Sequence, residues 1–144
     1  MKLVDREETI MVVVGGAGTG RDRPAAAELK LAIDARANGQ SYRRAVVIGD
    51  AEFLDRPDLH RHPTIAIGGP GVNVVSQRLV DDLPMRWQHK DRAFLQADLD
   101  NTNRVALWGM DAASTAQAVA AFLSEGYLDA LLDRIWRFRP GSLM

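Results

Sequence analysis

Four short apolar runs in this chain stop at glycine, and that pattern leaves few folds open. Ile10–Val14 runs into Gly15 and Gly16, residues 44–48 into Gly49, Thr64–Ile67 into Gly68 and Gly69, and residues 104–108 into Gly109. The runs are mostly β-branched and lack polar alternation, as expected of strands buried on both faces, and such strands belong to parallel sheets covered by helices.

Helical spacing fills the gaps between them. Pro24 opens a helix with Asp22 or Arg23 at its cap, and Leu29, Ala32 and Ile33 recur on one face up to Gly39. Lys30 and Asp34 form an i,i+4 pair on its outer face. Residues 51–62 read as an irregular connection with at most one helical turn. From Val72, with Val75 and Leu79, a second helix stops before Pro84. Residues 85–98 alternate, Met85/Trp87/His89 and then Phe94/Gln96/Asp98, and predict an exposed antiparallel edge pair. Asp111 or Ser114 caps a third helix with inner face Ala112, Thr115, Val119 and Phe122, closed by Gly126. Trp108 is expected in the core. Leu128, Leu131, Leu132, Ile135 and Phe138 mark a final helix, followed by a frayed tail over 139–144. This order predicts a single α/β domain, a three-layer Rossmann-like or flavodoxin-like sandwich with a mostly parallel sheet and an antiparallel edge pair.

Composition narrows the chemistry. At 144 residues and 47% hydrophobic content one core suffices without covalent staples. The absence of cysteine excludes thiol catalysis, disulfides and Cys-ligated zinc. A net charge of −1 argues against nucleic acid and anionic membrane as partners. The run Ile10–Val14, preceded by Arg6, Glu7 and Glu8, is too short for a signal-peptide core or a membrane span, so a cytoplasmic location is expected.

Nine of the twelve glycines (15, 16, 18, 20, 49, 68, 69, 71 and 109) follow predicted strands. In an open parallel sheet those ends share one edge, where ligands bind near the point at which strand order reverses. Glycine lets backbone approach a ligand, and a helix N-terminus there favours an anion. A phosphate or a carboxylate is the natural guest, and a phosphate-containing small molecule the expected partner. The candidate ligand-binding residues are Gly16, Gly18, Gly20, Arg21, Asp22, Asp50, Gly69, Asn73, Asp111 and Thr115. βα turns also need glycine simply to turn and pack.

The named fingerprints fail on particular residues. Gly15 to Gly20 has P-loop spacing, but Arg21 and Asp22 stand where Lys and Ser/Thr belong. Gly16 and Gly18 begin a dinucleotide signature whose third glycine position holds Arg21. Asp50 occupies the place of a ribose-binding acid, and reads equally as a turn residue. His60 and His62, near Asp58, read as a solvated loop rather than a metal site, which would need a third ligand. Among the fifteen arginines, Arg21, Arg23, Arg43 and Arg44 flank the first two strands and are candidates for gripping a phosphate.

The stretches Ile65-Ala-Ile-Gly-Gly-Pro-Gly-Val-Asn73 and Val105-Ala-Leu-Trp-Gly-Met-Asp-Ala-Ala-Ser-Thr115, the second followed by an alanine-rich helix, give the chain a resemblance to the glycine-rich α/β modules of archaeal surface-layer proteins and related cell-wall-binding repeats. The likeness covers residues 65–123 and rests on two turn motifs, Gly-Gly-Pro-x-x-Asn and Gly-x-x-Ala-x-x-Thr. It departs from the pattern in that those relatives are exported and lie within longer chains. The resemblance implies a non-catalytic domain in which Asn73 and Thr115 bond backbone groups of their own loops.

Two functions stay open. One is a non-catalytic module that binds a ligand or associates with itself, a homodimer forming through the apolar C-terminal helix. The other is an enzyme acting on a nucleotide or phosphorylated metabolite, with Asp22, Asp50 or Asp111 as acid/base or Mg²⁺-binding carboxylates and Arg21 or Arg23 on the phosphate. Neither reading specifies a cofactor.

Overall fold

The β-branched run at residues 10–14 becomes the second strand of a six-stranded sheet and is buried along its whole length. A computed structural model describes residues 8–16 and 20–136. The strands are β1 (Ile10–Val14), β2 (Ala45–Gly49), β3 (Thr64–Ile67), β4 (Met85–His89), β5 (Ala93–Ala97) and β6 (Arg104–Gly109). Their spatial order is β2-β1-β3-β6-β5-β4. The first four in that order run parallel, and β5 and β4 add an antiparallel edge pair. Strand order reverses between β1 and β3, so the loops after those two strands meet at the switch point.

Alternate residues of each strand feed opposite layers. Ile10, Val12 and Val14 face α1 (Arg23–Ala35), α4 (Ala112–Ser124) and α5 (Tyr127–Ile135), in a core that includes Leu29, Phe122 and Trp136. Met11 and Val13 face the thinner layer of α2 (Asp50–Leu54), a 3-10 helix (Pro57–Arg61) and α3 (Val74–Leu79), through Phe53 and Val75.

Several expectations change. Residues 51–62 hold two short helical pieces rather than one turn, because Asp50 starts a helix directly off β2 and Pro57 starts a second. The second helix begins at Val74, with Asn73 rather than Val72 at its start. Of the expected exposed edge pair only β4 is exposed; β5 is buried throughout, since it lies between β4 and β6 and under α4. Trp108 is only partly buried, stacked on Phe94 with ring centroids 4.3 Å apart. Ala112 is exposed rather than on the inner face of α4. Gly126 does close α4, at φ 86°.

Leu128, Leu131, Leu132 and Trp136 are fully buried against this chain's own core and Ile135 partly so, which leaves, among the described residues, little of the apolar surface that suggested a dimer through α5. Phe138 and the tail 139–144 lie outside the described residues. The Lys30–Asp34 pair, expected merely to face outward, also seals the sheet edge. Lys30 Nζ donates to the Ala45 carbonyl at 2.8 Å and Ala45 N–H donates to Asp34 Oδ1 at 2.9 Å, occupying main-chain groups of edge strand β2. No helix of the described residues is long and apolar enough to cross a membrane.

Candidate functional site

The switch point is built from loops that bond one another. Asp50, the first residue of α2, is buried and points its carboxylate across the ends of β1 and β3. Oδ1 accepts N–H bonds from Gly16 (3.0 Å) and Ala51 (2.8 Å), and Oδ2 accepts one from Val74 (2.9 Å). Burial pushes this carboxyl up, but the backbone N–H donors of Val74, Gly16 and Ala51, with its own N–H, together outweigh burial, and its pKa lies below the ordinary carboxylate value.

Asn73 completes the junction from a fully buried position. Its amide nitrogen donates to the Val13 carbonyl (3.0 Å) and the Ile67 carbonyl (2.9 Å), joining the ends of β1 and β3. Its Oδ1 accepts from Val75 N (2.9 Å) and Ser76 N (3.1 Å), capping α3. One side chain therefore satisfies four main-chain groups. Ser76 adds a 2.6 Å bond from its hydroxyl to the Gly68 carbonyl.

Glycine is required here for closeness. A Cβ on Gly15 would lie 1.8 Å from the Val72 carbonyl oxygen, so the β1 and β3 loops are in backbone contact. Gly68 has φ +109°, and a Cβ there would meet the Asp22 carboxylate at 2.7 Å.

The remaining candidates distribute as follows. Asp22 is buried at the N-cap of α1, but its carboxylate makes no cap bond; Arg21 Nε donates to Asp22 Oδ1 at 3.3 Å instead. Gly20 closes the first turn through its carbonyl, which accepts from Arg23 N–H. Gly18, with Ala17 and Thr19, lies outside the described residues. Gly69 packs against the Trp108 indole. Asp111 caps α4 by accepting from Ser114 N at 2.8 Å, and pairs with Arg92 at 2.6 Å. Those bonds hold its carboxyl down at about 2, the Ser114 backbone N–H contributing most. Thr115 is fully buried in the first turn of α4, yet its hydroxyl has no partner among the described residues. The expected bond to its own loop is absent; Asn73 makes its own.

Asp50 follows β2 and Asp111 follows β6, three strand spacings apart in the sheet, or about 14 Å. Asp50 bonds the loops after β1 and β3 whereas Asp111 bonds Ser114 and Arg92, so the two carboxylates share no partner. The four arginines also separate. Arg21 and Arg23 lie at the carboxyl edge, whereas Arg43 and Arg44 precede β2 and lie at the amino edge. Arg43 is buried, pairs with Glu8 at 2.9 Å and sits 5.6 Å from the Trp136 ring centroid, so it closes the core. His60 Nε2 faces the Phe53 carbonyl (2.7 Å) and His62 Nδ1 the Thr9 carbonyl (3.2 Å), each ring thus anchored to main chain. No group of three potential metal ligands occurs among the described residues.

Sequence reasoning missed Arg92, the partner of Asp111, and Ser76. Neither carries a motif; only the pairing of β5 with β6 and the approach of α3 to β3 show their roles. No protein-family model, curated protein or solved structure matches this chain.

Proposed function

We propose that this chain is a non-catalytic α/β binding module whose glycine-rich carboxyl edge is a structural clasp. The observation that carries the reading is the commitment of the Asp50 carboxylate to three main-chain N–H groups from three different segments. A general acid or base works best with a pKa near the operating pH and with a free lone pair toward substrate. Asp50 has its pKa lowered and its oxygens engaged, Asp111 is tied to Arg92 and Ser114, and Asp22 lies against Arg21 and Gly68. Of the two turn residues to which the resemblance to surface-layer and cell-wall-binding modules assigns a structural role, Asn73 bonds main-chain groups as that role requires and Thr115 does not.

The test is a thermal-shift screen against nucleotides, dinucleotides, flavins and sugar phosphates, each with and without Mg²⁺. A ligand at about 100 times its Kd adds roughly 2.7 kcal/mol, several degrees for a domain of this size. The clasp predicts no shift from any phosphorylated class. A clear shift that Arg21→Ala abolishes would overturn it in favour of a phosphate-binding site at the glycine edge, and turnover of that ligand would then be assayed.

A further inference from the structure

The amino edge of the sheet, opposite the clasp, holds a cavity of about 260 Å³. It lies over β1 and β2, lined from those strands and the segments leading into them, and from the 3-10 helix and its flanks. Its apolar lining comes from Met11, Val46 and Leu59. Its polar lining carries the guanidinium groups of Arg44 and Arg56 beside Thr9, Tyr42 and His62, and none of its lining residues is a carboxylate.

The two arginines differ. Arg56 pairs with Asp58 at 3.4 Å, both side chains being exposed. Arg44 has no ion pair or side-chain hydrogen bond among the described residues. A guanidinium presents a planar fork that matches a carboxylate in a bidentate pair. Apolar walls beneath such a fork suit a ligand with an apolar body and one planar anionic head. Tyr42, also at the lining, is held at φ 70° with its carbonyl accepting from the Thr9 hydroxyl at 2.7 Å. A bulky side chain at positive φ is strained, and such strain recurs at ligand clamps.

We propose that this cavity binds a small organic monocarboxylate, its aliphatic or aromatic body on Met11, Val46 and Leu59 and its carboxylate on Arg44. The proposal supplies the ligand class for the binding-module reading and rests on that reading for its meaning, although cavity and clasp lie at opposite edges and are separately testable.

The experiment is a titration of the ¹⁵N-labelled protein with benzoate, with hexanoate and with inorganic phosphate, followed by amide chemical shifts. Either carboxylate is expected to shift the Val46 and Leu59 amides saturably at millimolar concentration, and phosphate to leave them in place. Arg44→Gln should weaken binding at least tenfold. Val46→Trp, which fills the cavity, should abolish it, while Arg21→Gln at the clasp should leave it unchanged. Arg44 is exposed, so its variant is expected to keep the wild-type spectrum. Absence of shifts with both carboxylates would overturn the proposal, as would binding indifferent to Arg44→Gln or equal shifts from phosphate. Movement of the same amides with protein concentration alone would assign the cavity to a second copy of the chain and likewise overturn it. Loss of binding in Arg21→Gln with retention in Arg44→Gln would overturn the proposal and count against the clasp as well.

Discussion

Asn73 shows how much one side chain decides at this edge. Its amide bonds the Val13 carbonyl near the end of β1 and the Ile67 carbonyl at the end of β3 while its oxygen caps α3, all in a fully buried position. Asn73→Ala removes a cap and leaves buried main-chain groups unpaired, which together should cost about 3 kcal/mol in urea unfolding. Asp111 offers a different check, since its carboxyl is exposed to solvent and titrates visibly. Its side-chain carbon should titrate by NMR at about 2, against an ordinary value of 3.8. Arg92→Ala should move that midpoint upward, because the guanidinium favours the ionised form. A midpoint unmoved by the variant would mean that the Arg92 pair is broken in solution. The sign for stability follows. A carboxylate whose folded pKa is depressed contributes above its unfolded value, and that contribution fades as pH falls from 3.8 toward about 2.

At the level of elements, the close contact between the loops after β1 and β3 makes its own demand. Gly15→Ala drives a Cβ into the Val72 carbonyl and must separate the two loops. The expected loss is about 2 kcal/mol or more, of the size found for overpacked sites, measured by thermal or urea unfolding. A Gly15→Ala protein as stable as wild type would show that the loops do not touch. These elements also show what a sequence can tell. β1 and β3 were legible to the residue because strands buried on both faces produce uninterrupted apolar runs, and Gly126 was legible because a helix end demands a left-handed residue. β5 was misread as exposed because Gln96 and Asp98 look like outward polar positions. Gln96 is buried instead, donating to the Val80 and Leu83 carbonyls and accepting from the Trp108 indole. The candidate site was legible as a set of residues near one edge and illegible as chemistry. Whether Asp50 meets a ligand or an N–H group depends on the crossing of β2 past β1 to β3, a long-range pairing that spacing along the chain does not encode.

Across the whole molecule, the mixed sheet exposes two edges, and both are guarded. β2 carries the Lys30–Asp34 bridge on the main chain of Ala45, and β4 is short and exposed, with Arg86 on it and a register shift between Met85 and Trp87. With the apolar face of α5 turned inward as well, the chain should sediment as a monomer at every concentration tested. A concentration-dependent dimer would mean that one of these edges pairs after all. Function and stability then meet at Asp50, where the two accounts of the carboxyl edge predict opposite signs. Residues kept for catalysis are often replaced with no loss of stability or with a gain, whereas a clasp residue is replaced only at a cost. The decisive measurement is urea unfolding of Asp50→Asn beside wild type at pH 7 and again toward pH 3. If Asp50 is a clasp, the variant should be less stable by about 2 kcal/mol at pH 7, because an amide cannot accept all three N–H bonds. The gap should narrow as acid protonates the wild-type carboxylate through its lowered pKa. A variant equal to or more stable than wild type at pH 7 would contradict the clasp and return Asp50 to the candidates for chemistry.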